Sequence, residues 1–194
     1  GSTGYTKSPV TVYQEDIYLG YRYFDTFRKQ VLYPFGYGMS YTSFTILPKE
    51  MKQEKEELEF ITEVTNSGNY AGKETIQIYL SCSGTESEKP EKELKGFAKT
   101  RLLAPGEKQN ISIRISMQDL AGYVETSASY ILEKGKYQFF IGNSSREIIF
   151  AGEIQIREDY IIKKCVNRLC VQNCNVEHLQ VLSAREGRKK GPNA

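Results

Sequence analysis

The chain has 194 residues, and its 26 basic and 24 acidic side chains leave a formal charge of +2. One ordinary domain of about 100 to 150 residues with extensions fits that length, and interspersed charges of both signs give no reason to expect a nucleic-acid partner. No apolar run approaches the ~20 residues of a membrane-spanning helix, so no membrane partner is expected either.

Residues 1–11 are small and polar and predict little structure. From Tyr13 to Phe44 the chain is crowded with aromatics, among them Tyr18, Tyr21, Tyr23, Phe24, Tyr33, Phe35, Tyr37 and Tyr41. Water does not tolerate that density on a free loop. The stretch is therefore expected to be a strap laid over a scaffold, packed through Tyr33, Phe35, Tyr41 and Phe44. Within it, 14–23 fits a helix by the step from Ile17 to Tyr21 and a strand by Tyr21 and Tyr23. Arg22 and Asp25 either pair with each other or are solvated independently.

Strand signals begin at Ser43 and stop at Pro48, with a charged connection over 49–57. Leu58, Phe60, Thr62 and Val64 then alternate with Glu57, Glu59, Ile61 and Glu63, the pattern of a half-buried strand. Asn66-Ser67-Gly68 and Ala71-Gly72 punctuate a turn. Ile76, Ile78 and Leu80 follow as an inward row, with Gln77 and Tyr79 facing the other way, and the two segments read as a hairpin-like unit. Residues 93–102 form a strand with a bulge around Gly96. Leu103-Ala104-Pro105-Gly106 is a turn, Ile111, Ile113 and Ile115 make another one-faced strand, and 119–121 is a short helical turn. Strands follow at 129–132 and 137–141, and the last lie between Glu147 and Ile156.

Some seven short strands with almost no helical period predict an all-β fold, two antiparallel sheets packed as a sandwich. Its core is expected from Leu58, Phe60, Val64, Ile76, Ile78, Leu80, Ile111, Ile113, Ile115, Tyr137, Phe139 and Ile141. Leu132, Gly135 and Tyr137 have the spacing of a tyrosine corner, in which a Tyr hydroxyl ties the chain between two strands.

GYRYFDT followed by YPFGYGMSYTSF resembles the end of the α/β domain of glycoside hydrolase family 3. EVTNSGNYAGKETIQIYL, KPEKELKGFAKTRLLAPGE and LEKGKYQFFIGNSS continue the likeness, resembling the fibronectin type III-like domain of β-glucosidase-type members. The resemblance implies an immunoglobulin-like, fibronectin type III-like sandwich at 42–157, preceded at 1–41 by the terminal segment of the α/β catalytic domain as the strap. Residues 158–194 are then a tail or linker, or the start of a connection to a barrel in a permuted arrangement. The implied role is an accessory structural and domain-packing module, whose partners are the remaining catalytic domains of its own parent chain. The alternative is a free-standing carbohydrate-binding or adhesion sandwich, and an isolated chain could also dimerise through the strap.

The resemblance also implies a retaining glycosidase as parent, which needs a nucleophilic carboxylate and a second carboxyl as acid/base. In the family the nucleophile belongs to the barrel and the acid/base lies upstream of the matched strap, so no residue here inherits either role. No catalytic, cofactor-binding or metal residue is assigned, and whether the chain counts as an enzyme stays open. Glu15, Asp16 and Asp25 sit in the strap outside any catalytic motif, and Glu57, Glu59 and Glu63 occupy the solvent face of a strand. Cys165, Cys170, Cys174 and His178 are suitable zinc ligands by type, but they lack the usual Cys-x2-4-Cys pairs, and unpaired thiols in a linker are the reading adopted. Cys82 is alone in the sandwich, so no inter-sheet disulfide is expected, which leans toward a reducing, cytoplasmic compartment. The basic run Arg185 to Lys190 lies in a polar tail without aromatics and reads as a solvated end.

Overall fold

A computed structural model describes residues 15–166. A short helix, α1 (Tyr21–Thr26), precedes ten strands: β1 (Phe44–Glu54), β2 (Glu57–Asn66), β3 (Thr75–Ser83), β4 (Glu93–Lys99), β5 (Lys108–Ser116), β6 (Gly122–Val124), β7 (Ser129–Leu132), β8 (Gly135–Gly142), β9 (Ile148–Ile156) and β10 (Tyr160–Lys164). They form a three-stranded sheet in the order β1-β2-β5, a four-stranded sheet in the order β4-β3-β8-β9, and a small sheet in the order β10-β7-β6. Every pairing is antiparallel.

The alternating rows meet between the first two sheets. All twelve residues expected in the core are buried there, joined by Leu103, Leu120 and Leu132. The Phe60 and Phe139 rings face each other across the interface with centroids 5.0 Å apart. A fully buried side chain of this kind stabilises the fold by about 1.5 to 3 kcal/mol before conformational entropy is subtracted. One end of the sandwich is fastened by the expected tyrosine corner, where the buried Tyr137 hydroxyl donates to the Glu133 carbonyl at 2.9 Å. The opposite end is gathered around Asn66, which is fully buried and donates to the carbonyls of Tyr70 and Leu103 at 2.7 and 2.8 Å.

Several expectations change. The segments expected as a hairpin-like unit lie in different sheets: β2 pairs with β1 and β5, while β3 pairs with β4 and β8. Alternation marks a half-buried strand but not its neighbour, and the 66–74 connection crosses the sandwich rather than folding back. The first strand does not stop at Pro48 but runs on to Glu54, so much of the expected charged connection is strand. β1 is an edge strand, and its register shifts between Pro48 and Glu50. A residue without an N–H is accommodated where one side needs no partner. Tyr160–Lys164, expected to belong to a tail, pairs with β7.

The bulge at Gly96 is present: Ile78 pairs with Gly96 and Tyr79 with Leu94, leaving Lys95 as the extra residue. The expected helical turn is a 3-10 turn, Met117–Leu120, capped by the Ser116 hydroxyl accepting from the Gln118 N–H. Among the described residues no helix is long and apolar enough to cross a membrane.

Candidate functional site

Tyr79 and Gln77 lie on the face of β3 turned away from the core, yet they are 0% and 6% exposed. The strap covers them. Tyr21 on α1 stacks on Phe35 with ring centroids 4.6 Å apart and meets the edge of Tyr79 at 6.1 Å. Under this cover the Tyr79 hydroxyl donates to the Gln77 side-chain oxygen, and Gln77 Nε2 donates to the Asn143 carbonyl at 3.0 Å. Burial pushes the Tyr79 hydroxyl well above the usual tyrosine range, so it stays a neutral donor.

Gly36 makes the close approach possible. Its φ is +85°, a conformation that L side chains rarely adopt, and a Cβ at this position would press on the Gln77 side-chain amide, which would have to shift. The next contact is backbone, from the Ser145 N–H to the Phe35 carbonyl at 2.8 Å.

Charge fixes the helical part of the strap. Asp25 is 6% exposed and accepts from Arg146 Nε at 3.0 Å, while Lys92 Nζ lies 3.8 Å from its other oxygen. Arg146 Nη2 also donates to the Lys29 carbonyl at 2.7 Å, and Lys92 Nζ to the Ser145 carbonyl at 2.6 Å. Arg22 pairs with Glu93 at 2.8 Å rather than with Asp25. The Leu94 N–H donates to the Tyr21 hydroxyl at 2.8 Å, and the Glu91 N–H to Thr26 Oγ1 at 2.9 Å. Tyr18 is buried at 1% and its hydroxyl donates to Glu88 at 2.6 Å. Residues 15–36 are thereby tied to the loop before β4, to β3 and β4, and to the turn between β8 and β9.

The residues expected to carry this packing do so only in part. Tyr33 is 65% and Tyr41 94% exposed, Phe35 is half-exposed, and only Phe44, at the start of β1, packs against the core. The buried anchors are Tyr18, which was counted among the aromatics but not among the packing residues, and Asp25. Leu32, Met39 and Tyr41 are almost fully exposed, giving the strap a second, outward apolar side.

The carboxylates set aside in the sequence take the following places. Glu15 and Asp16 are exposed at the head of the strap, whereas Asp25 is buried. Glu57 is exposed, Glu59 accepts from Ser112 at 2.5 Å, and Glu63 lies 3.5 Å from Lys49 and 3.3 Å from Lys108 on the outer side of β2. Of the cysteine and histidine constellation only Cys165 is described; Cys170, Cys174 and His178 lie outside the described residues, as does the basic run 185–190. Among the described residues no three His, Cys, Asp or Glu side chains gather as a metal site.

Residues 74–145 match the fibronectin type III-like domain family. β-Glucosidase A of Butyrivibrio fibrisolvens is 37% identical over 180 residues, an alignment that takes in 81% of this chain and 22% of that protein. The chain carries a fibronectin type III-like domain of the family 3 β-glucosidase kind. The chain superposes on β-glucosidase from Kluyveromyces marxianus in complex with glucose with a TM-score of 0.75 and 34% identity, covering 79% of this chain and 19% of that one. Against β-glucosidase 3B from Thermotoga neapolitana in complex with α-D-glucose the TM-score is 0.72 at 40% identity, with 78% and 21% covered. The chain thus spans about a fifth of the length of the relatives it matches. The matched portions, about four fifths of this chain, exceed the fibronectin type III-like domain itself.

Proposed function

We propose that the chain is the accessory, domain-packing module of a β-glucoside-hydrolysing parent, and that residues 1–41 are the terminal segment of the α/β catalytic domain before it. The observation that carries this reading is the two-sided strap. Its inner side is locked to the sandwich by Tyr18, Tyr21, Asp25 and Gly36, while its outer side presents Leu32, Met39 and Tyr41 at 92 to 95% exposure. A segment held this firmly and still apolar outside has the form of a layer between two bodies. The remaining domains of the parent chain are the partner that fits.

The module works by stiffness: it presents a catalytic-domain segment on a rigid sheet rather than contributing reacting groups. Glycoside hydrolysis by a carboxylate pair takes place elsewhere in the parent, and the chain alone is inactive. Cys82, a free thiol in the sandwich, suits a reducing, cytoplasmic setting.

The test places Leu32→Asp and Tyr41→Asp in the full-length parent and, separately, in this chain. The parent is expected to lose activity at a lower temperature, with the melting of the chain unchanged. Equal heat resistance of variant and unaltered parents would sink the proposal. A free-standing carbohydrate-binding or adhesion sandwich would instead need no parent and would leave the outer strap residues without a covering surface.

A further inference from the structure

The turn between β8 and β9 separates two recesses of opposite charge. Arg146 lines one of about 260 Å³ with Asp25, Arg28, Glu91 and Lys92, while Asn143 and Glu147 line one of about 440 Å³ with Glu74, Tyr37 and Met39. Residues 29–36 of the strap run from the first recess to the second. The first is positive, since three cations against two carboxylates leave one positive charge, and Asp25 is already taken by Arg146 and Lys92. Arg28 is exposed, and among the described residues its side chain makes no ion pair or hydrogen bond.

The second recess is negative, and no Lys or Arg lines it. Half-buried Glu74 accepts only from neutral donors, the Thr75 N–H at 2.7 Å and Asn143 Nδ2 at 3.2 Å. Glu147 is exposed and is held through its backbone, whose N–H donates to the Ser144 hydroxyl at 3.1 Å. Among the described residues neither carboxylate has a cationic partner. Two like charges in one recess without a counter-charge select an occupant that brings a positive one. A metal ion would need more oxygens converging on one point, and the described residues form no such group. Tyr37, half-exposed and stacked on Tyr33 at a centroid distance of 4.9 Å, adds an aromatic surface suited to a guanidinium or ammonium group.

Met39 lines the negative recess and also belongs, with Leu32 and Tyr41, to the outward apolar side of the strap. The recesses and the apolar residues are therefore parts of one surface. Apolar residues flanked by charged groups are the anatomy of a recognition surface, in which opposite charges at the two ends fix the direction of docking. We propose that the outer side of the strap docks in a single orientation, onto a surface of the parent's other domains that places a carboxylate on Arg28 and an arginine or lysine on Glu74 and Glu147. This rests on the packing role proposed above and adds the chemistry of the surface that meets it.

The test compares Arg28→Glu and Glu147→Lys, singly and together, in the full-length parent. Neither side chain holds the strap to the sandwich, so this chain alone should melt unchanged in every variant. The half-life of the parent's activity at a fixed denaturing temperature should fall about fivefold for each single reversal. It should fall further in the double variant, where both recesses repel the partner although the net charge is restored. Arg28→Gln and Glu147→Gln should lie between, and they carry the test should a reversal fold poorly. A double variant returned to the unaltered half-life would overturn the proposal: it would mark an effect of net charge, or a second copy of this chain as the occupant, since exchanged charges pair again across a two-fold axis. Single reversals and neutral variants without effect would also overturn it. In that case a shorter half-life in Leu32→Asp would leave the packing role standing, and an unchanged one would remove both.

Discussion

Arg146 and Asp25 are 121 residues apart in sequence and joined by a 3.0 Å bond from Arg146 Nε to Asp25 Oδ1. The carboxylate is almost wholly buried and the guanidinium about one third exposed, so the pair closes the end of α1 over the turn between β8 and β9. Removing the arginine leaves a buried carboxylate with only Lys92, at 3.8 Å. Arg146→Ala should therefore destabilise the chain by about 3 kcal/mol, read from urea unfolding. Amides of 21–29 should exchange faster, those of β2 and β5 as before. Asp25→Asn combined with Arg146→Met should recover part of the loss, because no unpaired charge is left behind.

Gly36→Ala tests the closeness of the strap to the sheet. The substitution places a methyl group against Gln77 at a positive φ, so both sterics and backbone conformation oppose it. A cost of at least about 1 kcal/mol is expected from the backbone alone. The Tyr79 ring should become more accessible, seen as a change in tyrosine fluorescence, while the inter-sheet core keeps its amide protection.

Tyr137→Phe isolates the tyrosine corner. The ring remains in the core and only the bond to the Glu133 carbonyl is lost. Stability should fall by about 1 kcal/mol, measurable as a lower melting temperature, with no change in the strand pattern.

Glu133 provides a pH dependence. Burial alone would raise its carboxyl, but the Ser87 N–H at 2.7 Å and the Lys89 ammonium at 2.9 Å outweigh it and hold the group below the ordinary glutamate value. A depressed carboxyl stabilises the fold fully above the unfolded value of 4.5 and loses that contribution as the pH falls through its folded value. Stability measured from pH 7 downward should decline below about pH 4.5, and Glu133→Gln should flatten that part of the curve while lowering stability at neutral pH.

The burial of Cys82 pushes its thiol up to about 12. Cys82 should therefore resist alkylation at pH 8 in the native chain and react on unfolding, read by mass spectrometry.

The inward rows were legible from the sequence because a strand buried on one face repeats every second residue: Leu58, Phe60 and Val64, or Ile111, Ile113 and Ile115, have no other period that buries them together. The tyrosine corner, the Gly96 bulge and the 3-10 turn were legible for the same local reason, since each is specified within a few residues. The family resemblance and the existence of a strap were also in the letters. Tertiary structure alone decided which strands pair, because alternation carries no address: β2 and β3 look like neighbours and lie in opposite sheets. It also decided that β1 passes through Pro48, which depends on that strand being an edge, and that Tyr160–Lys164 adds to β7. The strap shows the division most clearly. Its aromatic content required it to lie on something, yet Tyr18 is covered and Tyr41 is not because cover depends on where α1 is held. Asp25, Lys92 and Arg146 hold it there, three charges that no local pattern connects and that only the assembled sheet brings within reach of one another.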